Sequence, residues 1–424
     1  MRRLTGQDSK IFYGWIIVLI CGLTLVVAFG VRLSFSIFFV ALLDEYGWSR
    51  ADTALIFSVS MLVFALASTP SGFALDRWGV RRVFGIGAAL LGLGLFLSSR
   101  IQNLSQLLIT YGIIVGLAIT ILGLGPQASV ISRWFVRRRG LAIGITFSGT
   151  GLGALLLIPA AAVLVSGFGW RNTYLVMAGT ALLLIPFIVY FLRLSPARVG
   201  LYPDGQEGPA ANSLNPTGKS ATGWKMAEVV RSPAFWLVII ASLGAIGPLR
   251  MLTVHQLAAI EEAGFDRIFG AAIIGLTGAA ATLAFIFWGA LSDRIGRRLA
   301  YLLGSLCLLA AIAILGILGD SRPAAWLFAY ALMLGLGEGS RSSLVTAVAS
   351  DLFPGNALGA VNGAVGSAFG AGAALFPWLA GSIYDQSGTY NTAFQLAVAA
   401  ILLSTVALWL APVLAARGKH SRSR

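Results

Sequence analysis

The chain has 424 residues, 58% of them hydrophobic and 11% charged, with a mean hydropathy of +0.86. Soluble domains carry about a quarter charged residues, so this composition excludes a water-soluble globule and predicts helices in lipid. The formal net charge is +14, and the two cysteines, Cys21 and Cys307, both lie in apolar runs, which predicts no disulfide framework and no metal site.

The basic N-terminal stretch "MRRLTGQDSKIFYGW" leads into a long apolar run without a small-residue cleavage site, which predicts a retained first span rather than a signal peptide. Runs long enough to cross a bilayer follow at 13–41, 51–74, 83–99, 104–132, 140–166, 170–192, 233–262, 268–291, 299–318, 323–350, 357–384 and 390–415. The longest interruption, 193–232, carries Pro196, Pro203 and Pro209 and the run "AANSLNPTGKSATG", the composition of a linker. The expected fold is an all-α membrane protein of twelve transmembrane helices in two six-helix bundles related by pseudo-two-fold symmetry. The N-terminal bundle covers 1–192, a cytoplasmic linker 193–232, and a C-terminal bundle with a basic tail 233–424.

Charge sets the orientation. With alternate loops assigned to the cytoplasm from the N-terminus onward, that side holds 22 of the 30 Lys and Arg. The far side holds Arg50, Arg100, Arg171, Arg267 and Arg322, and the spans hold Arg32, Arg250 and Arg341. This asymmetry predicts both termini in the cytoplasm of a cytoplasmic-membrane protein. The positive charge is then topology, with attraction to anionic lipid, and not a nucleic-acid signal.

The halves echo each other. "GFALDRWGVRR" (72–82) matches "GALSDRIGRR" (289–298), with Asp76 and Asp293 217 positions apart; "DEYGWSR" (44–50) matches "EEAGFDR" (261–267). A six-span repeat at fixed offset is the sequence sign of a two-fold transporter. The paired G-x-x-x-D-R-x-G-x-R-R type loops resemble the signature of the major facilitator superfamily. "RWFVRRRGLAIGITFSGTGLG", "HQLAAIEEAGFD" and "EGSRSSLVTAVASDLFPGNALGAVNG" are similar to its bacterial monocarboxylate and oxalate/formate porter branch. That resemblance implies a cytoplasmic latch built from Asp76, Arg77, Arg81, Asp293, Arg294 and Arg297, with each aspartate pairing loop arginines and a helix N-terminus. The same residues are also explained as a solvated, topology-setting surface. Glycines align in span 5 (Gly144, Gly149, Gly151, Gly153) and span 11 (Gly359, Gly363, Gly366, Gly370, Gly372), as close-packing seams do.

The resemblance also implies that spans 1, 4, 7 and 10 line a central cavity. The polar residues inside the membrane fall on those spans: Arg32, Gln127, Arg250 and His255, and the i,i+3 pair Glu338 and Arg341. An ionised side chain at mid-bilayer costs at least ~2.5–3.5 kcal/mol and should face a partner or water. Arg32 and Arg250, 218 apart, are near-symmetric guanidinium groups suited to a carboxylate. Arg341 is expected to pair with Glu338, either as a structural pair or as one opened by a proton, and His255 to carry a proton, to contact substrate, or simply to bridge helices. Gln127 is a further substrate-binding candidate. The arginine of span 8 and the lysine of span 11 that such porters use are missing here.

The expectation is a secondary active transporter, not an enzyme. It moves a small monocarboxylate-like organic anion by alternating access, as a proton-coupled symporter and as a monomer in the lipid bilayer, with no cofactor. The alternative is an exporter of a drug or other apolar metabolite on the same fold. No G-x-x-x-x-G-K-[ST] loop and no nucleophile motif occurs.

Overall fold

In the computed structural model the described residues are 12–135, 138–205, 226–317, 323–353 and 358–420; they are almost wholly helical, with no strand among them. In hydrocarbon the backbone has no water to bond, so each apolar run must satisfy its own N–H and C=O groups as a helix.

Among the described residues ten helices are long and apolar enough to cross a membrane. One of them, Leu141–Phe191, is two spans joined at Gly169, whose φ of 79° breaks the helix. The helix Ala325–Leu352, which carries Glu338 and Arg341 in its middle, completes the twelve. Span 1 runs Tyr13–Leu33 and, after a break at Ser34, Phe35–Tyr46; spans 2 and 3 are Arg50–Trp78 and Val80–Ser98. Span 4 occupies Leu104–Trp134, with a π-helical stretch at Leu108–Val115 and an interruption after Ile121. Spans 5 and 6 share Arg139–Phe191. Spans 7, 8, 9, 11 and 12 are Pro233–Glu262, Arg267–Ile295, Arg297–Ile317, Leu358–Ser387 and Asn391–His420. Spans 2 and 3 turn at Gly79 (φ 81°) and spans 8 and 9 at Gly296 (φ 88°). Both are left-handed conformations that a β-carbon disfavours.

The chain forms two compact units. The first contains Met1–Ser34 and Leu66–Gly218, the second Phe35–Ala65 and Lys219–Arg424. The boundary therefore runs through spans 1 and 2 as well as through the linker. In the first unit span 5 lies on span 1. A β-carbon at Gly153 would fall 2.4 Å from the Val26 carbonyl oxygen and 3.0 Å from the Gly30 nitrogen. In the second, span 11 lies on span 7 in the same way: at Gly372 the distances are 2.5 Å to the Leu243 oxygen and 3.2 Å to the Gly247 nitrogen. The repeat read from the loops thus recurs in backbone packing, with Gly30 and Gly247 again 217 positions apart. The seams are shorter than the glycine runs, because a β-carbon at Gly144, Gly363 or Gly366 would meet no neighbouring element within 4 Å among the described residues.

Candidate functional site

The second unit brings two of the expected residues together. Arg250 follows Pro248 in the middle of span 7, and its Nη2 donates to Glu338 Oε1 of span 10 at 3.1 Å. Both side chains are 21% exposed, so the pair is neither sealed nor fully solvated. Six residues further along span 7, Gln256 Oε1 accepts from Tyr330 Oη of span 10 at 2.7 Å, and this contact is buried. The antiparallel helices are thus fastened at one end of this face and leave a charged, accessible pair at the other. Gln256 and Tyr330 were not singled out from sequence, since one amide and one phenol in apolar runs carry no local signal.

Glu338 does not pair with Arg341, contrary to the i,i+3 expectation. Arg341 is 0% exposed and turns toward span 9, where Nη2 donates to Ser305 Oγ at 3.0 Å and the guanidinium carbon lies 4.4 Å from the Tyr301 ring centroid. Its Nε and Nη1 have no hydrogen-bond partner among the described residues. Ser305 Oγ also lies 2.7 Å from Thr405 Oγ1, and Tyr301 Oη 2.6 Å from Ser404 Oγ, so a buried hydroxyl cluster receives the cation. Residues three apart share a helix face, but here Arg250 takes the carboxylate and the serine-lined side takes Arg341.

His255 is 2% exposed and both ring nitrogens are engaged: Nε2 lies 2.8 Å from the Pro377 carbonyl oxygen and Nδ1 3.1 Å from Tyr390 Oη. A carbonyl can only accept, so Nε2 carries the hydrogen, and in the neutral ring Nδ1 accepts from the phenol. The ring also meets Phe39 edge-on at 5.0 Å.

Tyr390 leads to a charged cluster that the sequence reading did not assemble. Arg50 opens span 2, and its guanidinium donates to Tyr390 Oη and to Glu262 Oε1 and stacks 3.8 Å from the Tyr384 centroid. Its backbone N–H and that of Ala51 donate to the two Asp385 oxygens at 2.9 and 2.8 Å. A span 11 carboxylate therefore caps the N-terminus of span 2. Arg267 pairs with Asp44 at 2.7 Å and with Glu261. The signal was present in "DEYGWSR" and "EEAGFDR": the carboxylate of each segment binds the arginine of the other. Among the described residues no cluster of three His, Cys, Asp or Glu could hold a metal ion.

In the first unit Arg32 ends the initial stretch of span 1, is 8% exposed, and lies 5.4 Å from the Phe29 centroid. Tyr111, on the π-helical stretch of span 4, donates to the Val31 carbonyl at 3.3 Å. Gln127 is buried. Its Nε2 donates at 3.1 Å to Leu122 O, a carbonyl at the interruption of span 4, and its Oε1 has no partner among the described residues. Of the expected latch, Arg77 and Arg294 are exposed. Arg81 Nε donates to Leu192 O at 2.9 Å. Arg297 donates to Ser292 Oγ at 3.0 Å and lies 3.4 Å from Asp351 Oδ2. The side chains of Asp76 and Asp293 lie outside the described residues.

Comparison with known proteins agrees with this architecture. The family model described as Major Facilitator Superfamily matches residues 20–319 and 248–424. The chain is 27% identical over 399 residues to human monocarboxylate transporter 11, covering 92% of this chain and 81% of that protein. It is 24% identical to monocarboxylate transporter 12 of Xenopus laevis, covering 95% and 89%. Among solved structures it superposes on the nucleoside transporter NupG with a TM-score of 0.72 at 12% identity, covering 93% of this chain and 99% of that one. A bacterial homologue of the human lysosomal transporter Spinster, in an inward-facing unoccupied conformation, gives 0.69 at 15% identity, covering 96% and 97%.

Proposed function

The chain belongs to the Major Facilitator Superfamily, a multi-pass membrane transporter and not an enzyme, and on that footing we propose that it carries a small organic anion of the monocarboxylate kind together with a proton across the cytoplasmic membrane, by alternating access. The charge asymmetry of the loops supports cytoplasmic termini, and the names of the vertebrate relatives support the substrate class.

One observation carries the mechanism: the 3.1 Å contact between Arg250 and Glu338, with both side chains 21% exposed. An arginine stays charged at all working pH values and presents a fork that fits a carboxylate. While Glu338 is ionised it occupies that fork. A proton taken up by Glu338 neutralises it, and the substrate carboxylate replaces it on Arg250. One proton and one monovalent anion enter together, so the net charge of the site is unchanged. Release reverses both steps and restores the internal pair. Charge on spans 7 and 10 thereby stands in for a mid-span arginine in span 8, where this chain has no basic residue between Arg267 and Arg294. Arg32, near the repeat-mate position of Arg250, and Gln127 of span 4 are further candidate ligands. The buried His255 and Arg341 act in support.

The test is uptake of a panel of radiolabelled monocarboxylates into proteoliposomes with and without an imposed pH gradient. Arg250→Ala is expected to weaken uptake about 10- to 100-fold, the equivalent of about 1.5–3 kcal/mol for a hydrogen bond to a charged group. Glu338→Gln is expected to abolish the response to the gradient while substrate exchange persists, and Arg32→Ala to lower uptake. Full uptake in Arg250→Ala, or an unchanged gradient response in Glu338→Gln, overturns the mechanism. Uptake of apolar cations in place of carboxylates would favour a drug exporter.

A further inference from the structure

Each unit carries an open groove where its third and last spans meet at the arginine-rich end. In the first unit a groove of about 710 Å³ is lined by Arg81 and Arg193 together with Phe187, Val189 and Tyr190. In the second a groove of about 520 Å³ is lined by Arg297, Arg298, Leu299, Asp351, Trp409 and Pro412. Arg81 and Arg298 are 217 positions apart, so the repeat puts a guanidinium at the equivalent place in both.

The chemistry of the two is alike. Arg81 is held by its bond to Leu192 O, and Arg193 Nη1 donates to the Tyr190 carbonyl at 2.9 Å. Both guanidinium groups are therefore fixed at the C-terminus of span 6. Arg298 is exposed, with its guanidinium carbon 5.7 Å from the Trp409 centroid. In this groove the Asp351 carboxylate sits beside Arg297, and Arg298 is the second guanidinium that lines it. Below the arginines the walls are exposed and apolar: Phe187, Val189 and Tyr190 in one, Leu299 and Trp409 in the other. An aromatic ring next to a cation, over an apolar wall, at the end of a membrane span, matches a lipid headgroup and the start of its chain. A water-borne anion would leave the wall unused, and an apolar ligand would leave the cation unused.

We propose that these grooves are a repeated pair of anionic phospholipid sites, one in each unit. Arg81 and Arg193 take the headgroup phosphate in the first and Arg298 in the second, while the aromatic walls take the upper acyl chain. In the orientation proposed above, both sites draw from the cytoplasmic leaflet.

Native mass spectrometry of the full-length purified protein, titrated with phosphatidylglycerol, phosphatidylcholine or inorganic phosphate, tests this. Two phosphatidylglycerol molecules are expected to survive per chain under conditions that strip phosphatidylcholine, with phosphate alone unable to compete. Arg298→Gln should lower the count by one, and Arg81→Gln with Arg193→Gln should remove the other. Because Arg81 also ties span 3 to span 6, Tyr190→Ala serves as a second probe of the first groove and should weaken retention there. Arg100→Gln, at the opposite end of span 3, should change nothing. Equal retention of both lipids, an unchanged count in Arg298→Gln, competition by phosphate, or the same loss in Arg100→Gln overturns the assignment.

Discussion

Arg341 brings a charge fully out of water with no carboxylate among the described residues to receive it. Burying an ion costs several kcal/mol even after relaxation. The visible return is one bond to Ser305 and the face of Tyr301, worth about 2 kcal/mol when a cation–π contact is desolvated. Arg341→Met, of similar length and apolar, is therefore expected to leave the thermal unfolding temperature unchanged or raise it, since such replacements are neutral or stabilising by about 1–4 kcal/mol. Arg341→Ala is expected to lower it, because truncating a buried long side chain costs roughly 2–5 kcal/mol. An equal fall in both variants in differential scanning fluorimetry would mean that the guanidinium itself holds spans 9 and 10 together. The sequence named Arg341 and Glu338 as exceptional but misjudged their partners. Spacing fixes where β-carbons lie on a helix, whereas the side chain of a long residue ends wherever a rotamer finds a receiver. Ser305, Ser404 and Thr405, on spans 9 and 12, could not be seen from span 10 alone.

Among whole helices, the close approaches separate glycines that look alike in the sequence. Gly144 and Gly153 belong to the same span 5 run, yet a β-carbon meets nothing at the first and lies 2.4 Å from a carbonyl oxygen at the second. Alanine is favoured over glycine in a helix by about 1 kcal/mol, so Gly144→Ala is expected to be neutral or stabilising. Gly153→Ala must push span 5 off span 1 and is expected to destabilise by about 1–3 kcal/mol, the usual cost of overpacking; Gly372→Ala should do the same on span 7. Unfolding of the purified variants in detergent reads this as shifts of opposite sign, and equal shifts would dismiss the seam. The helices themselves were legible because about 20 apolar residues in lipid have few other options. The π-helical stretch around Tyr111 was not, since nothing in "LITYGIIV" differs from an ordinary span.

Across the whole chain the repeat is the most informative feature, because residues 217 apart recur in loops, turns and packing contacts alike. Gly47 (φ 63°) and Gly264 (φ 85°) end their helices in the same left-handed conformation, each three residues before Arg50 or Arg267. The sequence showed that these segments are mates. It could not show that each donates a carboxylate to the arginine of the other, because reciprocity is a property of the folded arrangement. Nor did chain order reveal that Phe35–Ala65 packs into the second unit. That association includes the Asp44–Arg267 pair, the Asp385 cap and Arg50, whose side chain is 17% exposed and whose partner Glu262 is 39% exposed. A partly solvated pair is discounted by screening, so a large change in global stability is not expected from breaking it; local opening is the sensitive readout. Arg50→Glu places two carboxylates together and should speed hydrogen exchange at the amides of residues 50–53, which the cap and the pair hold in place. Adding Glu262→Arg restores opposite charges in reversed order and should recover part of the protection, whereas Asp385→Asn, which keeps one acceptor oxygen, should loosen the same amides less than Arg50→Glu. If the double variant exchanges as fast as Arg50→Glu alone, the Arg50–Glu262 pair does not hold this segment, and the association must be assigned to the Asp44–Arg267 pair and the contact of Phe39 with His255.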